Sequence, residues 1–425
     1  VTDPSVVGPW PEVREPDLAR EIEAWATPGG PLDGGAVVGR IHLPPDRDRH
    51  GGGGPTPVAI RRDGAYDLLR FGPTMSDLLE RDDLAGLVRD PGLERLATLE
   101  ELVAGSHADI RSPELPALLC PFDLQVIRAC GVTFAESLIE RVIEEGARGD
   151  RARASGLRTR LVEAIGSDLG AVQPGSESAE ALKRELIDAG LWSQYLEVGI
   201  GPDAEIFTKA PVLSSVGFGD RVGIRSVSAW NTPEPEVVLA VDARGRIVGA
   251  TLGNDVSLRD VEGRSALLLP EAKDYNASCA IGPFVRLFEP GFRLADLMAT
   301  DVELEVTGPD GCHARGHNRL SRISRDPDDL VRQAIGRTHQ YPDGLALFLG
   351  TMFVPTGDRA GPGSGFSHRV GDVVRISDPL LGSLVNIVGL SEELPPWTFG
   401  IRELLRNLDV RGGVRNGAGA AGTRR

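Results

Sequence analysis

The chain has 425 residues, a formal net charge of −16 and 41% hydrophobic residues. That length holds one large or two ordinary domains around a sizeable core, and the acidic balance argues against a nucleic-acid or anionic-membrane partner. No apolar run nears bilayer-spanning length, VTDPSVVGPWPEV is no signal peptide, and Cys120, Cys130, Cys279 and Cys312 form no CxxC pair, so a soluble cytoplasmic protein with reduced thiols is expected.

Residues 1–119 read as a small α/β domain that packs or assembles. It holds a helix over DLAREIEAWA, a strand over GAVVGRIHLP and a second strand over PTPVAIRRDGAYDLL. The glycines Gly51 to Gly54 between them lack a GxxxxGKS or GxGxxG frame, which makes them a hairpin tip rather than a phosphate cradle. Ser76 is the expected N-cap of SDLLERDD. His42 and His50 have no partner at metal-ligand spacing.

Residues 120–197 read as a helical segment. In VTFAESLIERVIEEGARGD, Leu138, Ile139, Val142 and Ile143 make one stripe of a helix. Ser137, Glu140, Arg141, Glu144 and Glu145 make the other, which pattern alone would leave in solvent. A charged helical hairpin follows over 149–197, with Gly190 ending its second helix. Lys183 there reads as solvated, and Trp192 and Tyr195 as packing residues.

Residues 198–411 carry the chemistry, and 412–425 are low-complexity and expected to be disordered. In WNTPEPEVVLAV, alternation puts Glu234 and Glu236 on one strand face with Val238 and Ala240. Two adjacent carboxylates in an apolar row must share a proton, find cations or bind a metal. Pro235 cannot donate to a ladder, which places this strand end at an edge or opening. The turn Asp242-Ala243-Arg244-Gly245 returns the chain through IVGATLGND, bringing Asp255 to the glutamates. Three such oxygen ligands suit Mg²⁺ or Mn²⁺. Further on, ADVELEVTGPDG alternates as a strand, and Asp326-Pro327 opens a helix as N-cap and N1. His339 and His368 are candidates for supporting roles near the site.

Lysine usage adds a signal. Of 46 basic residues, only Lys183, Lys209 and Lys273 are lysines. A chain that uses arginine for its generic cations keeps lysine where an amine that can lose its proton is needed.

Taken together, Glu234-Pro235-Glu236, the NDxSxRD segment Asn254 to Asp260, Glu262-Gly263, Leu267 to Pro270 and Ala272-Lys273 resemble the fumarylacetoacetate hydrolase family. The likeness extends over about residues 120–390 and is nearest the branch of 2-keto-3-deoxy-pentonate dehydratases. It implies an α+β fold, in which the small N-terminal domain precedes a mixed β-roll catalytic domain with flanking helices, assembled as a homodimer or homotetramer. It further implies that Glu234, Glu236 and Asp255 bind Mg²⁺ and that Lys273 lies at the substrate. Gly131 to Phe134, followed by Ser137, Arg141, Glu144 and Glu145, matches the branch's active-site helix; Ser137, Arg141 and Glu144 stand at i, i+4 and i+7 on one face. Lys209 falls in a segment similar to the family's FxK entry strand and, with Ser137 and Arg141, is expected to bind the substrate. Gly350-Thr351 matches its G-T turn, whose threonine receives the substrate carboxylate.

The activity so implied is dehydration of a small anionic 2-keto-3-deoxy acid to 2-oxoglutarate semialdehyde. Lys273, with its pKa lowered, would take the C3 proton or hold the enolate, and Glu144 or Glu145 would protonate the departing hydroxide. Hydrolytic C–C cleavage of a 1,3-diketo acid is the competing activity, though no HxxE precedes the core. A metal-stabilised binding protein is the non-enzymatic alternative.

Overall fold

The computed structural model describes residues 16–109, 111–150, 153–154, 172–188, 192–361 and 365–412. The expected tail beyond 412, the helix end at Gly190 and most of the first helix of the 149–197 hairpin lie outside the described residues.

One sheet of eleven strands organises the molecule. From one edge it runs Arg95–Ala97, Gly64–Asp67, Gly54–Arg61, Val37–Leu43, Cys279–Leu287, Ile247–Asp255, Pro235–Val241, Leu345–Phe348, Val126–Cys130 and Ile206–Ala210, with Ala117–Leu119 branching onto Val37–Leu43. Its pairs are antiparallel except Leu345–Phe348 with Val126–Cys130. Strands from residues 37–61 therefore share a continuous sheet with those carrying Glu236 and Asp255, through the pairing of Val37 with Arg286. A second sheet orders His313–Arg319, Asp301–Thr307, Val373–Asp378, Gly382–Leu390 and Arg221–Ile224. A short ladder pairs Asn231–Thr232 with Ser257–Leu258.

The main core joins distant segments. Trp25, on the helix Ala19–Trp25, packs edge-on against Phe218 and Phe284 at 5.1 and 5.3 Å, and its indole N–H donates to Ser383 Oγ at 2.8 Å. A separate cluster of Leu138, Val142, Ile143, Leu186, Tyr195 and Leu196 ties the helix Ala135–Ala147 to Glu177–Asp188 and Gln194–Ile200. Both clusters bury aliphatic and aromatic surface, the principal favourable term in folding.

Several local expectations change. Thr74, not Ser76, caps the helix Met75–Leu79: its hydroxyl accepts from Asp77 N–H while Asp77 answers to Thr74 N–H, a complete capping box. Ser76 Oγ instead donates to the Asp343 carbonyl. The stretch PTPVAIRRDGAYDLL is two antiparallel strands, Gly54–Arg61 and Gly64–Asp67, because Arg62 and Asp63 form a turn ahead of Gly64 at φ 147°. Pro235 begins an interior strand. Its end of the strand is the expected opening rather than an edge, since pairing with Leu345–Phe348 starts only at Val238. Lys183 is not free in solvent: its ammonium is 2.6 Å from a Glu197 carboxylate oxygen and lies over the Trp192 ring.

The polar face of Ala135–Ala147 is the largest departure from pattern. Ser137, Arg141 and Glu144 are buried along with the apolar stripe. The helix lies between the helical cluster on one side and the carboxylate-bearing strands on the other.

Candidate functional site

Pro235–Val241 and Ile247–Asp255 form a hairpin closed at Gly245, whose N–H donates to the Asp242 carbonyl at 2.9 Å. Its register opposes Pro235 to Asn254 and Glu236 to Gly253, so Glu236 and Asp255 come together at the open end. Gly253 is required there, since a Cβ would sit 2.3 Å from the Phe348 ring. Just ahead of the strand, Glu234 is fixed by its N–H to Asn254 Oδ1 at 3.1 Å. One carboxylate oxygen of each of Glu234, Glu236 and Asp255 lies within 4.8 Å of the others. All three residues are about 1% exposed.

The surroundings are as ordered as the triad. Lys273 Nζ donates to Glu234 Oε2 at 2.5 Å and to Asp255 Oδ2 at 3.1 Å. Lys209 Nζ donates to the carbonyls of Lys273 and Val256 and stands 2.7 Å from Asp255 Oδ1 without hydrogen-bond geometry. Thr351 Oγ1 donates to Glu234 Oε2 at 2.8 Å and Glu236 Oε1 at 3.1 Å, and Gly350 N–H donates to Glu236 Oε2 at 2.7 Å. Gly350 has φ 100° and abuts the Thr133 hydroxyl, so only glycine offers this amide here.

From the helix, Arg141 donates to Glu234 Oε1 at 2.5 Å and Glu144 Oε2 at 2.8 Å, and pairs with Glu262 Oε2 at 2.9 Å. Arg259 pairs with Glu144 and with Glu140, the latter at 2.9 Å. Glu144 is therefore held by two guanidinium groups. Ser137 does not reach this network; its hydroxyl donates to the Phe134 carbonyl at 2.9 Å. Glu145 also lies apart, accepting from Gln194 Nε2 at 2.8 Å. His368 Nδ1 bonds to Asp372 Oδ2 at 3.0 Å, and Asp372 in turn is gripped by Arg359. His339 packs edge-on against Tyr341, outside the carboxylate network.

Burial pushes the Glu234 pKa up, but Arg141 and Lys273 outweigh it and hold this carboxyl below the usual range. Glu236 goes the other way, raised by burial and then by Asp255 and Glu234. Glu262 is likewise raised, chiefly by burial, against the pull of Arg141 and Lys273. The expected lowering of Lys273 is reversed. Burial does disfavour its ammonium, yet Asp255, Glu234 and Glu262 together lift its pKa above that of a free lysine. In the ion-free protein Lys273 is a cation between two carboxylates.

Glu205, which sequence reasoning passed over, supplies the missing titrating group. Its carboxyl lies over Gly131, where a Cβ would come within 1.9 Å of Oε2, and among the described residues it has no ion-pair partner. Burial, then Glu262, pushes its pKa up to about 7, against Arg141 and Lys273. Nothing in DAEIFTK marks that acid. Arg259 was legible only as part of NDxSxRD, and Glu262 as its neighbour.

The residues present fit a hard divalent cation. Among the described residues, Glu144, Glu205, Glu234, Glu236, Asp255 and Glu262 gather around Arg141, Arg259, Lys209 and Lys273. Glu236, Glu262 and Glu205 have raised pKa values, first because burial disfavours their charged forms and then because neighbouring carboxylates add to it. Asp255 Oδ1 is buried and accepts no hydrogen bond. A dication on the three clustered oxygens would answer both features.

Residues 231–389, which contain this triad, Lys273 and Thr351, match the fumarylacetoacetate (FAA) hydrolase C-terminal family. This part of the chain is a fumarylacetoacetate hydrolase domain. A stretch of 184 residues is 32% identical to the 2-dehydro-3-deoxy-D-arabinonate dehydratase of Saccharolobus solfataricus, covering 43% of this chain and 58% of that protein. Another of 204 residues is 33% identical to the probable 2-keto-3-deoxyxylonate dehydratase of Haloferax volcanii, covering 47% and 65%. The chain thus spans less than two thirds of either curated relative. The fold resembles that of 2-keto-3-deoxy-D-arabinonate dehydratase complexed with magnesium and 2,5-dioxopentanoate, with a TM-score of 0.55 at 20% identity over 83% of this chain and 99% of the other. The mixed β-sheet architecture with flanking helices is that of the fumarylacetoacetate hydrolase fold. Among the described residues no helix is long and apolar enough to cross a membrane.

Proposed function

We propose that the protein is a Mg²⁺-dependent dehydratase of a 2-keto-3-deoxy sugar acid, with the xylonate or arabinonate form as substrate and 2-oxoglutarate semialdehyde as product. One observation carries this reading: a buried triad of oxygen ligands is held against Lys273 in a domain whose named relatives are dehydratases of such acids. The magnesium and 2,5-dioxopentanoate of the similar dehydratase structure support the metal and the product class.

Glu234, Glu236 and Asp255 would hold the Mg²⁺, whose charge polarises the 2-oxo acid and lowers the cost of removing a proton from C3. The chain's own residues do the rest. Lys273 and Lys209 hold Asp255 in place and offset part of the triad's charge. Arg141 fixes Glu234 and so ties its helix to the site, and Arg259 holds the same helix through Glu144. Thr351 orients the substrate carboxylate with its amide, while its hydroxyl stays on Glu234 and Glu236. Glu205 takes the C3 proton and passes it to the C4 oxygen, which leaves as water; the C3–H and C4–O bonds break and a C3=C4 double bond forms. Tautomerisation then yields the C5 aldehyde. Glu144, doubly bound to arginine, is a positioning residue in this scheme, and Glu145 has no part in it.

Incubating the protein with Mg²⁺ and a panel of 2-keto-3-deoxy-pentonates, 2-keto-3-deoxy-hexonates and acylpyruvates tests the proposal. Formation of the semialdehyde from a pentonate is the expected result. Cleavage of an acylpyruvate instead would make the protein a C–C hydrolase. Binding of the acids without turnover would make it a non-catalytic member of the fold.

A further inference from the structure

A second cavity, of about 900 Å³, opens away from the triad between the strand Val37–Leu43 and the C-terminal segment around Trp397. That volume is in the range of small-molecule sites. Leu119, Leu213, Val216, Pro395, Trp397 and Phe399 supply its apolar wall.

Its charges are unevenly matched. At the rim, Arg111 pairs with Asp220 and Arg221 with Asp109. Arg40 also lines the cavity and is only 7% exposed. Its Nη1 donates to the Phe122 carbonyl at 2.5 Å, its Nε is buried with no acceptor, and among the described residues no carboxylate pairs with it. The adjacent Asp123 answers part of the Arg40 charge at a distance, without an ion pair, while its oxygens accept from the N–H groups of Met75, Ser76 and Leu124. Glu393 lines the cavity from an exposed position and makes no ion pair with Arg40. A guanidinium stays charged wherever it sits, and buried charges are ordinarily paired.

The geometry points to a binding site for an anionic small molecule with an apolar body, its anion on Arg40 and its body against Trp397 and Phe399. The site adjoins the catalytic centre through one loop. Asn276 and Ala277 line the cavity, while Ser278 Oγ donates to the Lys273 carbonyl at 2.7 Å and Asn276 Nδ2 to the Pro395 carbonyl at 3.1 Å. An occupant therefore touches the segment that carries Lys273.

The test uses 2-naphthoate and its neutral isostere 2-naphthamide as probes, with chelator present so that no metal recruits the carboxylate to the triad. Equilibrium dialysis against the full chain should find one 2-naphthoate site, with 2-naphthamide bound at least ten-fold more weakly. Arg40→Gln should reduce 2-naphthoate to the level of the amide and leave the amide unchanged, while Arg40→Lys should retain part of the preference. Inorganic phosphate alone should compete only weakly, since it lacks the apolar body. Equal affinity for acid and amide, undiminished acid binding in Arg40→Gln, or no saturable binding would overturn the proposal. Should the Arg40 variants fail to fold, Trp397→Ala, a change at a half-exposed residue, decides it: unchanged 2-naphthoate affinity there sinks the site.

Discussion

Lys273 shows how a residue's environment decides its chemistry. The scarcity of lysine in the sequence singled it out, and the lowered pKa expected of it beside a metal gives way, in the ion-free protein, to the pull of its neighbours. With Glu234 Oε2 at 2.5 Å and Asp255 Oδ2 at 3.1 Å, attraction outweighs desolvation and the ammonium persists. Lys273→Met would leave both carboxylates without that cation, and breaking a buried pair costs about 3–5 kcal/mol. Chemical denaturation of the metal-free variant should show that loss, and Mg²⁺ should stabilise the variant more than the wild type, because the dication takes over the neutralisation. An unaltered midpoint would mean that the ion pair is not formed in solution. Glu205 is the complementary case, a carboxyl that among the described residues has no ion-pair partner and feels Arg141 and Lys273 only at a distance. As a base it must be ionised, so kcat/KM should fall as pH drops through its pKa, which bound Mg²⁺ will hold below the ion-free value of about 7. Glu205→Gln should lower kcat by about 10²–10⁴-fold and abolish that acid limb. Retention of the limb would remove Glu205 from the proton path.

At the scale of an element, the helix Ala135–Ala147 carries the clearest lesson. Its amphipathic period was visible, and the apolar stripe is buried as the pattern requires. The polar stripe was not legible as buried. A helical wheel records the separation of two faces but not what lies opposite each. Here Arg141 binds Glu144 on its own helix, Glu234 ahead of the strand and Glu262 beyond it. Arg141→Met should therefore destabilise the fold by about 3–5 kcal/mol, comparable with other losses of one partner from a buried charged set. Urea unfolding measures it; a change below about 0.5 kcal/mol would place Arg141 in the class of surface residues. The hairpin Pro235–Asp255 was easier to read, because alternation along a strand and a short polar turn are local properties. They put Glu234, Glu236 and Asp255 together without knowledge of the rest.

For the whole molecule, charge balance links stability to pH and metal. Glu205, Glu236 and Glu262 have folded pKa values above their ordinary value of 4.5. A carboxyl raised in this way binds its proton more tightly folded than unfolded, so stability falls as pH rises from the unfolded pKa through the folded one. Glu234 has the opposite sign, and its contribution is lost only below about pH 4.5, as pH falls through its lowered folded value. Metal-free protein should thus lose thermal stability as pH rises above 4.5, through the Glu205 value of about 7, and Mg²⁺ should flatten that decline. Saturation at 100 times Kd adds about 2.7 kcal/mol. A Tm profile indifferent to Mg²⁺ across this range would count against the triad as its site.

The sequence by itself determined the hairpin, its three carboxylates, the apolar stripe of the helix and the family likeness, since all of these rest on local periodicity or contiguous motifs. It could not determine which charged groups share a volume. Arg259 and Glu140, Lys209 and Asp255, and Glu205 and Glu262 meet across long stretches of chain. Only the tertiary structure decided that Lys273 remains charged, that Glu144 is locked by two arginines and that Glu205 is left to titrate. The reason is physical: the charge state of a buried group depends on the field of every neighbour within a few ångströms, and that neighbourhood exists only once the sheet has closed and the helix has docked on it.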